Sequence, residues 1–131
     1  MAIGFDKLIE KSLFSEIEDS LNHSKVGFEK ESLRIVNSKI SQHPHAKSFG
    51  SALCNKYITT DFSEAQLELV TPPIKDKIRG LEFLEDIHHF VSCNIKNEIL
   101  WPFSMPSIIH SDKDIPIANY GSSNIGLFKR R

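Results

Sequence analysis

Apolar and polar positions alternate most cleanly over Ala65–Val70, where Ala65, Leu67 and Leu69 share one face and Gln66 and Glu68 the other. A repeat of two is the signature of a half-buried strand. Pro72 and Pro73 close it, because proline cannot donate to a ladder and holds its predecessor extended. Val26–Val36, VGFEKESLRIV, reads as a second strand, with Glu29 and Glu31 on one face and Lys30 on the opposite one. Two segments carry the longer helical repeat instead. Over residues 3–21 the stripe is Phe5, Leu8, Ile9, Leu13, Ile17 and Leu21, predicting a helix that packs on the back of the sheet. Over Ile78–Glu98 it is Leu81, Leu84, Ile87, His88, Val91 and Ile95.

The remaining segments read as connections. Ser38–Asn55 is a loop, in which Phe49-Gly50-Ser51-Ala52-Leu53 suits close backbone packing. In Leu100–Pro106, LWPFSMP, the two prolines forbid a helix, so an extended path is expected with Trp101, Phe103 and Met105 anchored on the core. Ile115–Tyr120 reads as a short edge strand and 121–126 as a flexible turn. That turn is small, polar and glycine-flanked, yet it lacks the lysine of a P-loop.

Composition narrows the class. A chain of 131 residues, 40% hydrophobic and 25% charged, suits one globular domain over 1–131. The net charge of −1 offers no footprint for nucleic acid, and Lys129-Arg130-Arg131 is a solvated tail. No apolar run reaches the length of a membrane span, and Asp6 and Lys7 interrupt any signal-peptide core. The expectation is a cytoplasmic protein with neither nucleic-acid nor membrane partners. Cys54 and Cys93 have no paired metal-ligand spacing and are expected as reduced thiols.

Candidate chemistry gathers in Tyr57–Pro72, YITTDFSEAQLELVTP, which carries Asp61, Glu64 and Glu68. With Glu29 and Glu31, two strands offer carboxylates to a common face. Such a face can hold Mg²⁺ through oxygen ligands and leave positions for phosphate and water. The same spacing also describes an ordinary solvated sheet face. Histidines give less: His43 and His45 read as polar loop residues, and His88 as a hydrogen-bonded structural residue of the helix stripe.

Five segments in order carry a more specific signal: GFEKESLR at Gly27–Arg34, HPHAKSFGSAL at His43–Leu53, YITTDFSEAQLELVTP, LWPFSMP, and YGSSNIGLFK at Tyr120–Lys129. Together they closely resemble the N-terminal portion of the proteobacterial-type glutamate–cysteine ligase, or gamma-glutamylcysteine synthetase. The resemblance implies an α+β fold, a curved and mostly antiparallel sheet with flanking helices that is part of a glutamine-synthetase-like fold. It implies ATP-dependent joining of the glutamate side-chain carboxylate to the amine of cysteine, the first step of glutathione synthesis. A carboxylate is a poor electrophile, so phosphorylation to an acyl phosphate precedes attack by the amine. Both steps concentrate negative charge, which Mg²⁺ neutralises.

By matching motif positions, the resemblance assigns Glu29, Glu31, Asp61 and Glu68 to Mg²⁺. It places Phe62 and Glu64 with the substrate, Phe62 near the pocket for the cysteine side chain. No catalytic residue is implied within the chain. Arg34 could serve phosphate or form a cross-strand ion pair. The family's proteins are several times longer, and a histidine and a glutamate that complete the metal cluster have no counterpart here. The sequence is therefore expected to be an N-terminal fragment, a truncated reading frame, or half of a split enzyme whose partner is the missing C-terminal half. Two alternatives to the ligase are a non-catalytic Mg²⁺- or nucleotide-binding remnant and a small phosphotransferase using the same carboxylates.

Overall fold

The computed structural model describes residues 15–105 and 107–129. Its centre is an antiparallel hairpin-like pairing between β1 (Glu29–Val36) and β4 (Gln66–Val70), with Glu31 opposite Glu68 and Ser32 opposite Leu67. β3 (Ile58–Thr60) adds to β4 antiparallel, pairing Thr59 with Glu68. At its far end β1 also pairs antiparallel with β2 (Lys39–Ile40) and β5 (Ile99–Leu100). The result is the open antiparallel sheet with helices that the α+β expectation described.

One face of this sheet is the core. Leu67 and Leu69 are fully buried with Ile58 against Ile87, Val91 and Ile95 at one end of α2 (Lys77–Asn94). Phe49, from the one-turn helix Lys47–Phe49, seals the same cluster. Ala65 joins Ile35 and Ile40 in a second cluster, covered in part by Leu33 and Trp101. The two-residue alternation in the sequence thus separates a buried face from an open one.

Local chemistry fixes the boundaries. Asp76 caps α2, its carboxylate accepting from the backbone N–H groups of Ile78 and Arg79 at 2.9 and 3.3 Å. Asp76→Ala is expected to cost about 1 kcal/mol, read as a lower urea midpoint at unchanged m-value. Gly80 lies under Phe28, where an added Cβ would meet the ring at 2.8 Å. At the turn between β1 and β2, Asn37 and Ser38 both have positive φ, 49° and 62°. That is the tight primed turn whose twist suits a hairpin.

Several expectations need correction. Of the predicted helix over 3–21, only the end falls in the described residues, as α1 (Ser15–Asn22), and the rest lies outside them. Ile17 and Leu21 are exposed rather than packed on the sheet, whose back is already filled by α2. The loop over 38–55 contains β2 and a one-turn helix. Ile115–Tyr120 forms a single bridge, Ser63 to Ile117, instead of a strand. The turn over 121–126 runs into a short helix, α3 (Asn124–Lys129). Phe103 and Met105 are 60% and 65% exposed, so of the three expected anchors only Trp101 packs on the core. Along α2, Ile78 and Leu81 also face outward, because the sheet reaches only the C-terminal half of the stripe. His88 is half-buried, but its ring has no hydrogen-bond partner among the described residues. Both cysteines are free and exposed.

Candidate functional site

The open face carries the carboxylates. β1 supplies Glu29 and Glu31, and the register sets Glu68 of β4 directly across from Glu31. Directly opposed side chains in an antiparallel pair stand about 5 Å apart at Cβ. Asp61 follows β3 in the turn into β4. Its backbone N–H donates to the Gln66 carbonyl at 3.1 Å, and the Tyr120 hydroxyl donates to the Asp61 carbonyl at 3.0 Å. Gln66 joins the two sides: its amide nitrogen donates to Glu31 at 2.7 Å and to Asp61 at 3.4 Å.

This grouping is electrostatically unfavourable by itself. Among the described residues none of the four carboxylates has a salt-bridge partner. Partial burial raises the Glu68 pKa, and the charges of Glu29, Asp61 and Glu31 raise it further, opposed only by Lys129. Lys129 itself rests over the Tyr120 ring at 4.2 Å. Natural sheets avoid like charges in direct opposition unless something compensates. Oxygen-only donors of concentrated negative charge suit a hard divalent cation. Among the described residues no three His, Cys, Asp or Glu side chains converge as a ready-made cage.

The other sequence-predicted residues fall elsewhere. Glu64 is buried and accepts from two backbone N–H groups, His45 at 2.7 Å and Asn119 at 2.6 Å. It ties two distant loops to the start of β4. Glu64→Ala strands both N–H groups and is expected to cost roughly 3 kcal/mol, since each bond is charge-assisted. A urea titration checks this. Phe62 is 87% exposed beside Asp61.

Arg34 points into the core end of the sheet, away from the carboxylate row. It pairs with Glu98 at 3.0 Å and donates to the carbonyls of His43, Pro44 and Glu64. Of the two alternatives for Arg34 the structure gives an ion pair, with a partner that follows α2 rather than one across the strand. The histidines are likewise structural. The His43 ring contacts the Glu98 carboxylate at 2.8 Å, and the His45 ring lies edge-on to Phe49. Burial lowers the His45 pKa, with the Arg34 charge acting the same way and Glu64 opposing.

Sequence reasoning passed over one feature. A cleft of about 300 Å³ opens beside the carboxylate row, lined by Glu31, Leu33, Gln66, Trp101, Phe103 and Met105. Assigning Phe103 and Met105 to the core hid it.

Comparison with known proteins decides the family. The sequence model described as glutamate-cysteine ligase matches residues 11–131. The chain belongs to the glutamate–cysteine ligase family. A glutamate–cysteine ligase from Alcanivorax borkumensis is 51% identical over 104 residues, covering 79% of this chain and 20% of the relative. One from Pseudomonas entomophila is 45% identical over 119 residues, covering 90% and 22%. The chain therefore spans about a fifth of the length of these ligases. Among solved structures, the glutamate–cysteine ligase of Francisella tularensis in complex with AMP superposes at a TM-score of 0.75. It is 36% identical and covers 79% of this chain and 21% of that one. A bifunctional glutathione synthetase from Pasteurella multocida gives 0.70 at 36% identity, over 75% and 14%.

Proposed function

We propose that this chain forms the metal-holding face of an ATP-dependent ligase that makes gamma-glutamylcysteine from glutamate and cysteine. The observation that carries the reading is the direct opposition of Glu31 and Glu68, flanked by Glu29 and Asp61 with no neutralising ion pair among the described residues. Glu29, Glu31, Asp61 and Glu68 would hold Mg²⁺. When bound, it would supply positive charge to the phosphate groups of ATP and to the acyl phosphate formed on glutamate. Gln66 orients Glu31 and Asp61, while the Tyr120 hydroxyl holds the backbone from which Asp61 projects. Phe62, exposed beside Asp61, would contact the cysteine substrate, and Glu64 would steady the segment that carries it.

ATP as the phosphoryl donor is supported by the AMP in the Francisella ligase. The expected setting is the cytoplasm, with small-molecule substrates. A second reading, a non-catalytic Mg²⁺- and nucleotide-binding piece completed by another chain, is favoured by the exposed apolar side chains of Phe62, Ile117 and Phe128. These are 87%, 67% and 79% exposed, and apolar surface of that kind marks an interface.

ADP release by the purified chain with Mg²⁺, ATP and glutamate, with and without cysteine, separates the readings. Little or no cysteine-dependent release is expected from the chain alone. Robust dipeptide synthesis would overturn the view that other groups are needed. Mg²⁺ binding followed by calorimetry tests the acidic face in the same sample.

A further inference from the structure

We propose that His89 and Cys93 form a chelating pair for a borderline-soft divalent cation of the Zn²⁺ class on the outer side of α2. The pair is independent of the carboxylate row and of the ligase reading, since it lies on the helix behind the sheet and uses sulphur and nitrogen donors instead of oxygen.

The helix sets the spacing. Residues four apart on an α-helix stand one above the other on the same face. Ile87, Val91 and Ile95 turn one side of α2 into the core. His89 and Cys93 fall midway between those positions, about half a turn round the helix, and both are exposed. Cys93 belongs to the last turn, where helices commonly fray. Here that turn is pinned from below, because Val91 and Ile95 on either side of Cys93 are 0% and 4% exposed. The Asn94 side-chain amide also donates to the Phe90 carbonyl at 2.8 Å, closing the turn that carries the thiol.

The two donor atoms already face each other. Cys93 Sγ lies 3.7 Å from His89 Nε2. Zn²⁺ takes sulphur at about 2.3 Å and imidazole nitrogen at about 2.0–2.1 Å, which at a tetrahedral angle sets the two donors about 3.6 Å apart. A cation can therefore enter between them with little movement of either side chain. Thiolate and imidazole favour Zn²⁺ or Co²⁺ over Mg²⁺, which prefers oxygen. Among the described residues no third His, Cys, Asp or Glu joins the pair, so water fills the remaining positions. Coordination takes the thiol proton, and affinity rises with pH as a result. Cys54 is equally exposed but has no histidine one turn away, which makes it an internal control.

The full, reduced chain titrated with Co²⁺ is expected to develop the near-ultraviolet absorption of a cobalt–thiolate bond, saturating at one equivalent. Zn²⁺ should abolish that band by displacement, and excess Mg²⁺ should leave it unchanged. Cys93→Ser should remove the band outright. His89→Ala keeps the thiol but loses chelation, so its affinity for Zn²⁺ should fall roughly a hundredfold. Both substitutions are at exposed helix positions, and unchanged circular dichroism checks that each variant stays folded. Cys54→Ser should behave as wild type. The proposal is overturned if wild type gives no band, or if the band survives in Cys93→Ser or vanishes in Cys54→Ser. It is equally overturned if His89→Ala binds Zn²⁺ as tightly as wild type, since Cys93 would then be acting as a simple thiol.

Discussion

Glu98→Ala is expected to destabilise the chain by about 3–5 kcal/mol, because it leaves a buried guanidinium without its counter-charge. The Arg34 and Glu98 side chains are 1% and 3% exposed. One Glu98 oxygen accepts from Arg34, and the other accepts from the Ser41 hydroxyl and contacts the His43 ring. Replacing both partners with apolar residues of similar size, Arg34→Met with Glu98→Leu, should recover only part of that loss: no unpaired charge remains inside, but the carbonyls of His43, Pro44 and Glu64 and the Ser41 hydroxyl lose their partner. Urea denaturation of the two variants decides it. If Glu98→Ala proves as mild as a surface substitution, the pair does not hold this end of the sheet together.

Glu68→Gln should act in opposite directions on binding and on stability. Calorimetric Mg²⁺ binding is expected to disappear, as it also should in Glu29→Ala. The metal-free variant, in contrast, should be more stable than wild type near neutral pH. The sign follows from the raised Glu68 pKa, set by burial and then by Glu29, Asp61 and Glu31. Between the unfolded and the folded pKa the folded chain binds more protons, so stability falls as pH rises through that window, just above the ordinary carboxylate range. Removing the titrating group flattens the fall. Saturating Mg²⁺ should raise wild-type stability by mass action and leave Glu68→Gln unmoved. Mg²⁺ binding that survives both substitutions would discard the acidic face as a metal site.

Local periodicity carried the sequence reading furthest where one residue's neighbours decide its fate. Leu67 and Leu69 are buried and Gln66 and Glu68 face out, as alternation requires. The same alternation could not say that Glu31 and Glu68 would face each other, because register depends on how two strands slide. Long-range pairing was out of reach for a related reason: Arg34 and Glu98 are separated by 64 positions. Glu64 looked like one more acidic residue of the motif. Only the arrival of His45 and Asn119 beside it converts its carboxylate into a brace. Residue type alone points Phe103 and Met105 inward, and that rule fails where apolar side chains line an open cleft. The β1–β2 hairpin has no clear sequence signal because Asn37-Ser38 is not the glycine-containing pair that usually announces such a turn.

The knot around Arg34 also bears on how the chain matures during synthesis. Arg34 sits in β1, but the carboxylate that compensates it lies after α2, and the carbonyls it bonds come from residues 43, 44 and 64. A nascent chain emerging from the ribosome exposes β1 and β4 well before Glu98. Closing the sheet at that stage would enclose a cation with no counter-ion, which costs more than early pairing returns. The hairpin of β1 and β4 should therefore remain open at this end until α2 and Glu98 have cleared the exit tunnel. Stalled chains ending before Glu98 should be readily cut by protease, and chains with Glu98 outside the tunnel should resist.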